Sequence, residues 1–99
     1  MRTAARVDAN QKQVVLNLRQ LGCKVLILSM VGKGCPDLLI GYNGRLTLVE
    51  LKDGDKPPSK QKLTEDEEVF FEEWEGLPIY KCNSVQEIMD KIGMRGYIT

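Results

Sequence analysis

Cys35-Pro36-Asp37-Leu38-Leu39-Ile40-Gly41-Tyr42-Asn43-Gly44-Arg45-Leu46-Thr47-Leu48-Val49-Glu50-Leu51-Lys52 is the stretch that decides the fold. Asn43-Gly44 is a preferred pair for a type I′ turn, which needs positive φ at both central positions. The runs on either side, Pro36 to Tyr42 and Arg45 to Lys52, are strand-like in composition and length. With Asn43 and Gly44 as the turn, Tyr42 faces Arg45, and the antiparallel ladder carries Asp37 opposite Glu50. Side chains alternate faces with period 2, so Lys52 projects on the same side as Glu50. That side is otherwise apolar, with Leu39, Leu46 and Leu48, and the other side carries Leu38, Ile40, Val49 and Leu51. Such strands are expected to be covered on both faces.

Two carboxylates directly opposite on a sheet, with Cβ atoms about 5 Å apart, repel each other. Desolvation disfavours both charges further. A divalent cation between them removes the conflict. Oxygen donors without any histidine or a Cys-x-x-Cys pair favour Mg²⁺ or Mn²⁺ over zinc. Such an ion polarises a phosphoryl oxygen and makes hydroxide available near neutral pH. Lys52 then either stabilises the charge of the phosphorane or orients and deprotonates the attacking water, two roles that the sequence does not separate. The reaction class implied is phosphodiester hydrolysis. The plainer alternative makes Asp37 a turn residue and leaves Glu50 and Lys52 on the surface of an edge strand, which requires a polar outer face; the apolar flanks of Glu50 oppose it.

Upstream of the hairpin, Asp8-Ala9-Asn10-Gln11 has the form of a capping box and predicts a helix starting near residue 9. Val14, Val15, Leu18 and Leu21 follow at helical spacing, and Gly22 ends it. Lys24 to Met30 reads as a strand and Val31 to Gly34 as a loop. Downstream, Asp53 to Ser59 is a loop containing Pro57 and Pro58. Thr64 to Glu67 is a second capping box, opening a helix with Val69, Phe70, Phe71 and Trp74 on its apolar side. Ile79 to Cys82 reads as a short strand. Ser84 to Glu87 is a third capping box, ahead of the stripe Val85, Ile88, Met89 and Ile92. The predicted order is αβββαβα: an α/β fold with a mixed four-stranded sheet, in which a crossover helix leads to a parallel last strand and helices cover both faces.

Ninety-nine residues, 42% of them hydrophobic, suit one domain over 1–99, because small chains bury too little surface for a second core. No apolar run approaches the roughly 18 residues of a membrane span, and Met1 to Arg6 lacks the apolar stretch of a secretion signal. A soluble, cytoplasmic protein is expected. Cys23, Cys35 and Cys82, three in number and widely spaced, read as reduced, mostly buried thiols. Net charge is zero but uneven: residues 1–62 hold 11 of the 14 Lys and Arg and 5 of the 14 Asp and Glu, and residues 63–99 hold the other 3 and 9. A phosphate-binding face on the first two thirds is one reading; an acidic solvated helix over Glu65 to Glu75 is the other.

Gly34-Cys35-Pro36-Asp37-Leu38-Leu39-Ile40-Gly41 followed by Val49-Glu50-Leu51-Lys52 resembles the VRR-NUC branch of the PD-(D/E)XK nucleases, and the resemblance covers nearly the whole chain. It implies the restriction-endonuclease-like αβββαβα core of stand-alone, often phage-borne members. It also implies a metal-dependent, structure-selective DNA endonuclease, related to Holliday junction resolvases, in phage or bacterial replication, repair or recombination. If phage-encoded, the protein would act in the bacterial host cytoplasm. By that resemblance Asp37 and Glu50 bind the metal, the main-chain carbonyl of Leu51 is a further ligand, and Lys52 is the catalytic lysine. Two positions depart from the family. Gln11 stands where relatives often carry a glutamate; on the side of Val15 and Leu18 it can approach the sheet and hold a water at the ion, or it is only the capping partner of Asp8. Glu67 stands where a Leu-(Ser/Thr)-x-x-Gln signature has glutamine, in Leu63-Thr64-Glu65-Asp66-Glu67. Both departures count against a second metal site.

Lys56, Lys60 and Lys62, in the loop after the Lys52 strand, are candidates for contact with DNA phosphates, the alternative being a solvated loop. Lys33 between two glycines is a weaker candidate, its backbone amides being open to a phosphate. Phe70, Phe71 and Trp74 are expected mostly in the core, with part of the cluster left for a subunit interface. Junction DNA has two-fold symmetry and needs two incisions, so a homodimer is expected. Neither a membrane nor a small-molecule cofactor is expected, nor base readout, since no helix rich in Arg, Asn or Gln is present. A non-catalytic DNA-binding or assembly module of the same fold is the alternative function. A protein-interaction module built on the acidic helix would not bind DNA at all.

Overall fold

The type I′ turn is the point from which the sheet grows. In the structure, a computed structural model that describes residues 9–94, Asn43 and Gly44 have φ of 51° and 79°. Glycine adopts such values without steric cost, and asparagine tolerates them better than most side chains. The turn joins β2 (Leu38–Tyr42) to β3 (Arg45–Leu51) in the expected register, from Tyr42 opposite Arg45 to Leu38 opposite Val49.

β1 (Lys24–Ile27) pairs antiparallel with β2 on the other side, Val25 opposite Ile40 and Ile27 opposite Leu38. It is shorter than the Lys24–Met30 run predicts. The Leu28 amide still donates to the Asp37 carbonyl at 2.7 Å, but the Val31 amide then turns back onto the Leu28 carbonyl, so the chain leaves the sheet at Leu28. β4 (Ile79–Cys82) lies parallel to β3, Glu50 opposite Lys81 and Leu51 opposite Cys82, which gives a mixed sheet in the order β1-β2-β3-β4.

One face of the sheet holds the core. Val25, Leu38, Ile40, Val49, Leu51 and Cys82 pack with Val14, Val15 and Leu18 of α1 (Ala9–Gln20) and with Ile88 and Met89 of α3 (Val85–Lys91), followed by Ile92 and Met94. Of the stripes predicted for α1 and α3, Val14, Val15, Leu18, Ile88, Met89 and Ile92 are buried, and Leu21 and Val85 pack partly buried against them. Arg19 ties the end of α1 to β1 by donating to the Val25 carbonyl at 2.9 Å. Ser84 caps α3 by accepting from the Glu87 amide; the Glu87 carboxylate accepts from the Asn83 amide, one residue before the position a capping box predicts.

The second face is only partly covered. α2 (Glu65–Glu73) opens with the predicted capping box at Thr64 but buries none of its residues. Phe70 and Trp74 stack on each other, ring centres 5.2 Å apart, rather than entering the core, and Trp74 is 39% exposed. Trp74, Leu77 and Pro78 flank Leu39, Leu46 and Leu48 of the sheet, yet Leu46 remains 65% and Leu26 60% exposed. This corrects the expectation that the aromatic residues are mostly core: nine residues with acidic side chains on most sides give α2 too narrow an apolar stripe to bury. Cys23 and Cys82 are buried free thiols and Cys35 is a partly buried one. Among the described residues no helix is long and apolar enough to cross a membrane.

The two faces should respond differently to truncation. Ile40→Ala removes a fully buried side chain and is expected to cost about 2–5 kcal/mol. Leu46→Ala, at a residue 65% exposed in the single chain, should stay within about 0.5 kcal/mol when unfolding is followed at a protein concentration where the chain is monomeric. Denaturant unfolding of both variants measures the contrast.

Candidate functional site

The β2–β3 ladder ends at Leu38 opposite Val49, and the next residue toward the N-terminus is Asp37. There the side chain takes the place of a main-chain acceptor: Asp37 Oδ2 accepts from the Leu51 amide at 2.9 Å. The carboxylate is thus fixed to the strand that carries Glu50. On the far side, the Lys52 amide donates to the Cys82 carbonyl at 2.9 Å, so the parallel partner strand fixes the main chain of Lys52. Hairpin register and crossover strand together bring Asp37, Glu50 and Lys52 to one end of the sheet.

Asp37, Glu50, Leu51 and Lys52 line a cavity of about 240 Å³ with Asn10, Gln11, Asp53, Lys56 and Lys60. Glu50 is 4% exposed, which rules out the edge-strand alternative. Lys52 Nζ lies 3.4 Å from Glu50 Oε2 and 2.9 Å from Glu67 Oε1. Glu67 Oε1 also accepts from the Thr64 amide at 2.8 Å. One oxygen therefore serves both as capping group of α2 and as partner of the lysine, the second being a contact that the sequence does not indicate.

Burial is the main influence on the acids. It pushes Glu50 up to about 9, with help from the charges of Asp37 and Glu67. It raises Asp37 too, partly offset by the hydrogen bond from Leu51. For Lys52 burial acts downward, but hydrogen bonding and charge from Glu67 and Glu50 overcome it and leave the ammonium raised. Burial alone would raise Glu67, yet Lys52 and the Thr64 amide bring it below the usual carboxylate range. Lys52 and Glu67 form an ion pair, while Glu50 is the group whose charge is poorly compensated.

Among the described residues no group of three or more His, Cys, Asp or Glu side chains is arranged to hold a metal ion. What converges is the pair Asp37 and Glu50, and its environment fits a divalent cation. Glu50 Oε1 is buried with no hydrogen-bond partner, an arrangement that is costly unless something positive or donating faces it. The donors are hard oxygens, suited to Mg²⁺ or Mn²⁺ rather than softer ions.

Gln11 is buried and lines the cavity with Asp37 and Glu50, as its place on the side of Val15 and Leu18 suggests. Asp8 lies outside the described residues, and Gln11 Nε2 donates to Ser29 Oγ at 3.1 Å, in the loop after β1. Of the lysines named as DNA contacts, Lys56 and Lys60 line the cavity, whereas Lys33 and Lys62 do not. Gly34 beside Lys33 is explained by packing: a Cβ there would collide with the Asp66 carbonyl at the start of α2. Comparison of the chain with protein-family models, curated proteins and solved structures finds no match. The site stands on its own geometry.

The buried carboxyl makes stability depend on pH. Folded Glu50 keeps its proton up to about pH 9, while the unfolded group loses it near 4.5, so the folded state holds the extra proton throughout that window. Stability therefore falls as pH rises from about 4.5 toward 9. Glu50→Gln is expected to flatten that fall, leaving Tm nearly unchanged at pH 4 and raising it at pH 8. Each 1 kcal/mol recovered corresponds to roughly 4–8 °C in a domain of this size. Thermal melts at the two pH values check it, and a variant less stable than the parent at pH 8 contradicts the account.

Proposed function

We propose that the chain is a Mg²⁺- or Mn²⁺-dependent endodeoxyribonuclease of the VRR-NUC type, with a restriction-endonuclease-like core and a preference for branched DNA. The observation that carries this reading is the unpartnered, buried Glu50 Oε1, on a side chain that lines one cavity with Asp37, Lys52 and two further lysines. In this reading Asp37, Glu50 and the Leu51 carbonyl hold the ion, which lowers the pKa of water and offsets charge on the phosphate.

The side chains divide the remaining work. Lys52 is held as a cation by Glu67 and Glu50, which favours charge stabilisation at the phosphate over proton abstraction. Lys56 and Lys60 bind the flanking phosphates as fixed positive charges. Gln11, fixed by Ser29, hydrogen-bonds and orients the attacking water. Shape rather than base sequence sets selectivity, and a second copy of the chain provides the paired incision that a two-fold junction needs. The partly exposed face with Leu26, Leu46, Trp74 and Leu77 is the surface we assign to that copy.

Cleavage of labelled four-way junction, flap, single-stranded and duplex DNA in Mg²⁺, Mn²⁺ or EDTA tests the enzyme. Lys52→Ala is expected to lower kcat by about 10²–10³-fold, the usual loss on removing a charge-stabilising group, and EDTA to abolish cutting. Binding without cutting under every metal condition would replace the enzyme with a non-catalytic DNA-binding module. Sedimentation velocity checks the assembly: the chain should run as a dimer and Leu46→Glu as a monomer, and a monomeric parent chain removes that part of the reading.

A further inference from the structure

Lys56 and Lys60 belong to a segment with little reason of its own to stay over the cavity. Between β3 and α2 the chain runs through Asp53 to Thr64, and its one regular turn, the 3₁₀ turn Pro58–Lys60, buries no residue. Local bonds shape the segment internally: the Asp55 amide donates to Asp53 Oδ1, the Lys56 amide to the Asp53 carbonyl and the Lys60 amide to the Pro57 carbonyl. None of these ties it to the rest of the fold. Among the described residues neither Lys56 nor Lys60 takes part in an ion pair that would anchor it.

The tie is Gln61. Its Nε2 donates to the Lys56 carbonyl at 2.6 Å and reaches the Gly54 carbonyl at 3.4 Å, closing the loop on itself. Its Oε1 accepts from Asn83 Nδ2 at 3.2 Å, a bond that crosses to the turn between β4 and α3. Asn83 is itself fixed, its amide donating to Glu87 Oε1 at 2.7 Å. Gly54 lies flat against the same residue: a Cβ there would come within 3.2 Å of the Asn83 carbonyl oxygen. Asn83 thus meets the loop at two points, while Gln61 and Asn83 both stay off the cavity wall.

We propose that the Gln61–Asn83 bond is the latch that registers the lysine loop over the cavity, making Gln61 and Asn83 positioning residues for phosphate binding by Lys56 and Lys60. The inference rests on the nuclease reading of the cavity and names the device that sets its grip on the strand. An unlatched loop still carries its charges, but the lysines spread over more positions and each of them meets a phosphate for less of the time.

The test is DNA affinity of the full chain in EDTA, by fluorescence anisotropy with labelled single-stranded and duplex DNA across a salt series, for Asn83→Ala, Gln61→Ala, Lys56→Ala/Lys60→Ala and Asn83→Ala/Lys56→Ala/Lys60→Ala. Each latch variant is expected to weaken Kd about 3- to 10-fold, the span of one ordinary hydrogen bond. The slope of log Kd against log salt should shrink on duplex DNA, by up to about 0.9 for each phosphate that the lysines no longer neutralise. In the background lacking both lysines, Asn83→Ala should have no further effect, since neighbours acting through the same phosphates are non-additive. A purely structural role reduces the active fraction and leaves Kd and the salt slope alone; that result, or full additivity with the lysine changes, overturns the latch. Gln61→Ala keeps the test open should Asn83→Ala disturb α3. DNA binding with latch behaviour but no cutting in metal leaves the latch and removes the enzyme; a parent chain that binds no DNA removes both.

Discussion

Two carboxylates held side by side in apolar surroundings repel each other, and much of the geometry at this end of the sheet is arranged around that repulsion. Asp37 receives the Leu51 amide, which lowers its cost. Glu50 lies 3.4 Å from a lysine that a second carboxylate holds more closely. The hairpin leaves neither acid free to withdraw, because Val49 and Leu51 on either side of Glu50 are anchored in the core. A folded chain that keeps such a pair in place has lower stability at neutral pH than one in which Glu50 is neutral by substitution.

The parts of this arrangement legible in the sequence are those that local chemistry specifies. Asn43-Gly44 sets the turn, period 2 sets the faces, and together they bring Asp37, Glu50 and Lys52 to one end before any tertiary contact is known. Capping at Thr64 and Ser84 and the stripe from Val85 to Ile92 are equally readable, since each uses groups within one or two helical turns. The apolar flanks of Glu50 along β3 also point to its burial.

What escapes the sequence depends on contacts between distant positions. Gln11 meets Ser29 across 18 residues and Gln61 meets Asn83 across 22, and no local pattern marks amide side chains that will find each other. Composition misplaces Phe70, Phe71 and Trp74 for a related reason. Aromatic content suggests a core, but the sheet face they meet is only partly covered and the helix that carries them is mostly acidic. Likewise Lys33 and Lys62 resemble Lys56 and Lys60 in composition, and only the path of the loops separates them.

The shallow seating of α2 has a dynamic counterpart. Elements with few buried apolar contacts open at lower free energy than the core, independently of global unfolding. α2 buries none of its residues, whereas β3 is among the best-buried strands, so the helix and the sheet end belong to units of different local stability. Glu67 travels with the helix; Asp37, Glu50 and Lys52 stay with the sheet. An excursion of α2 would release the ammonium from one of its two counter-charges while leaving the acid pair in register, giving the same cavity a second electrostatic state within an undisturbed frame.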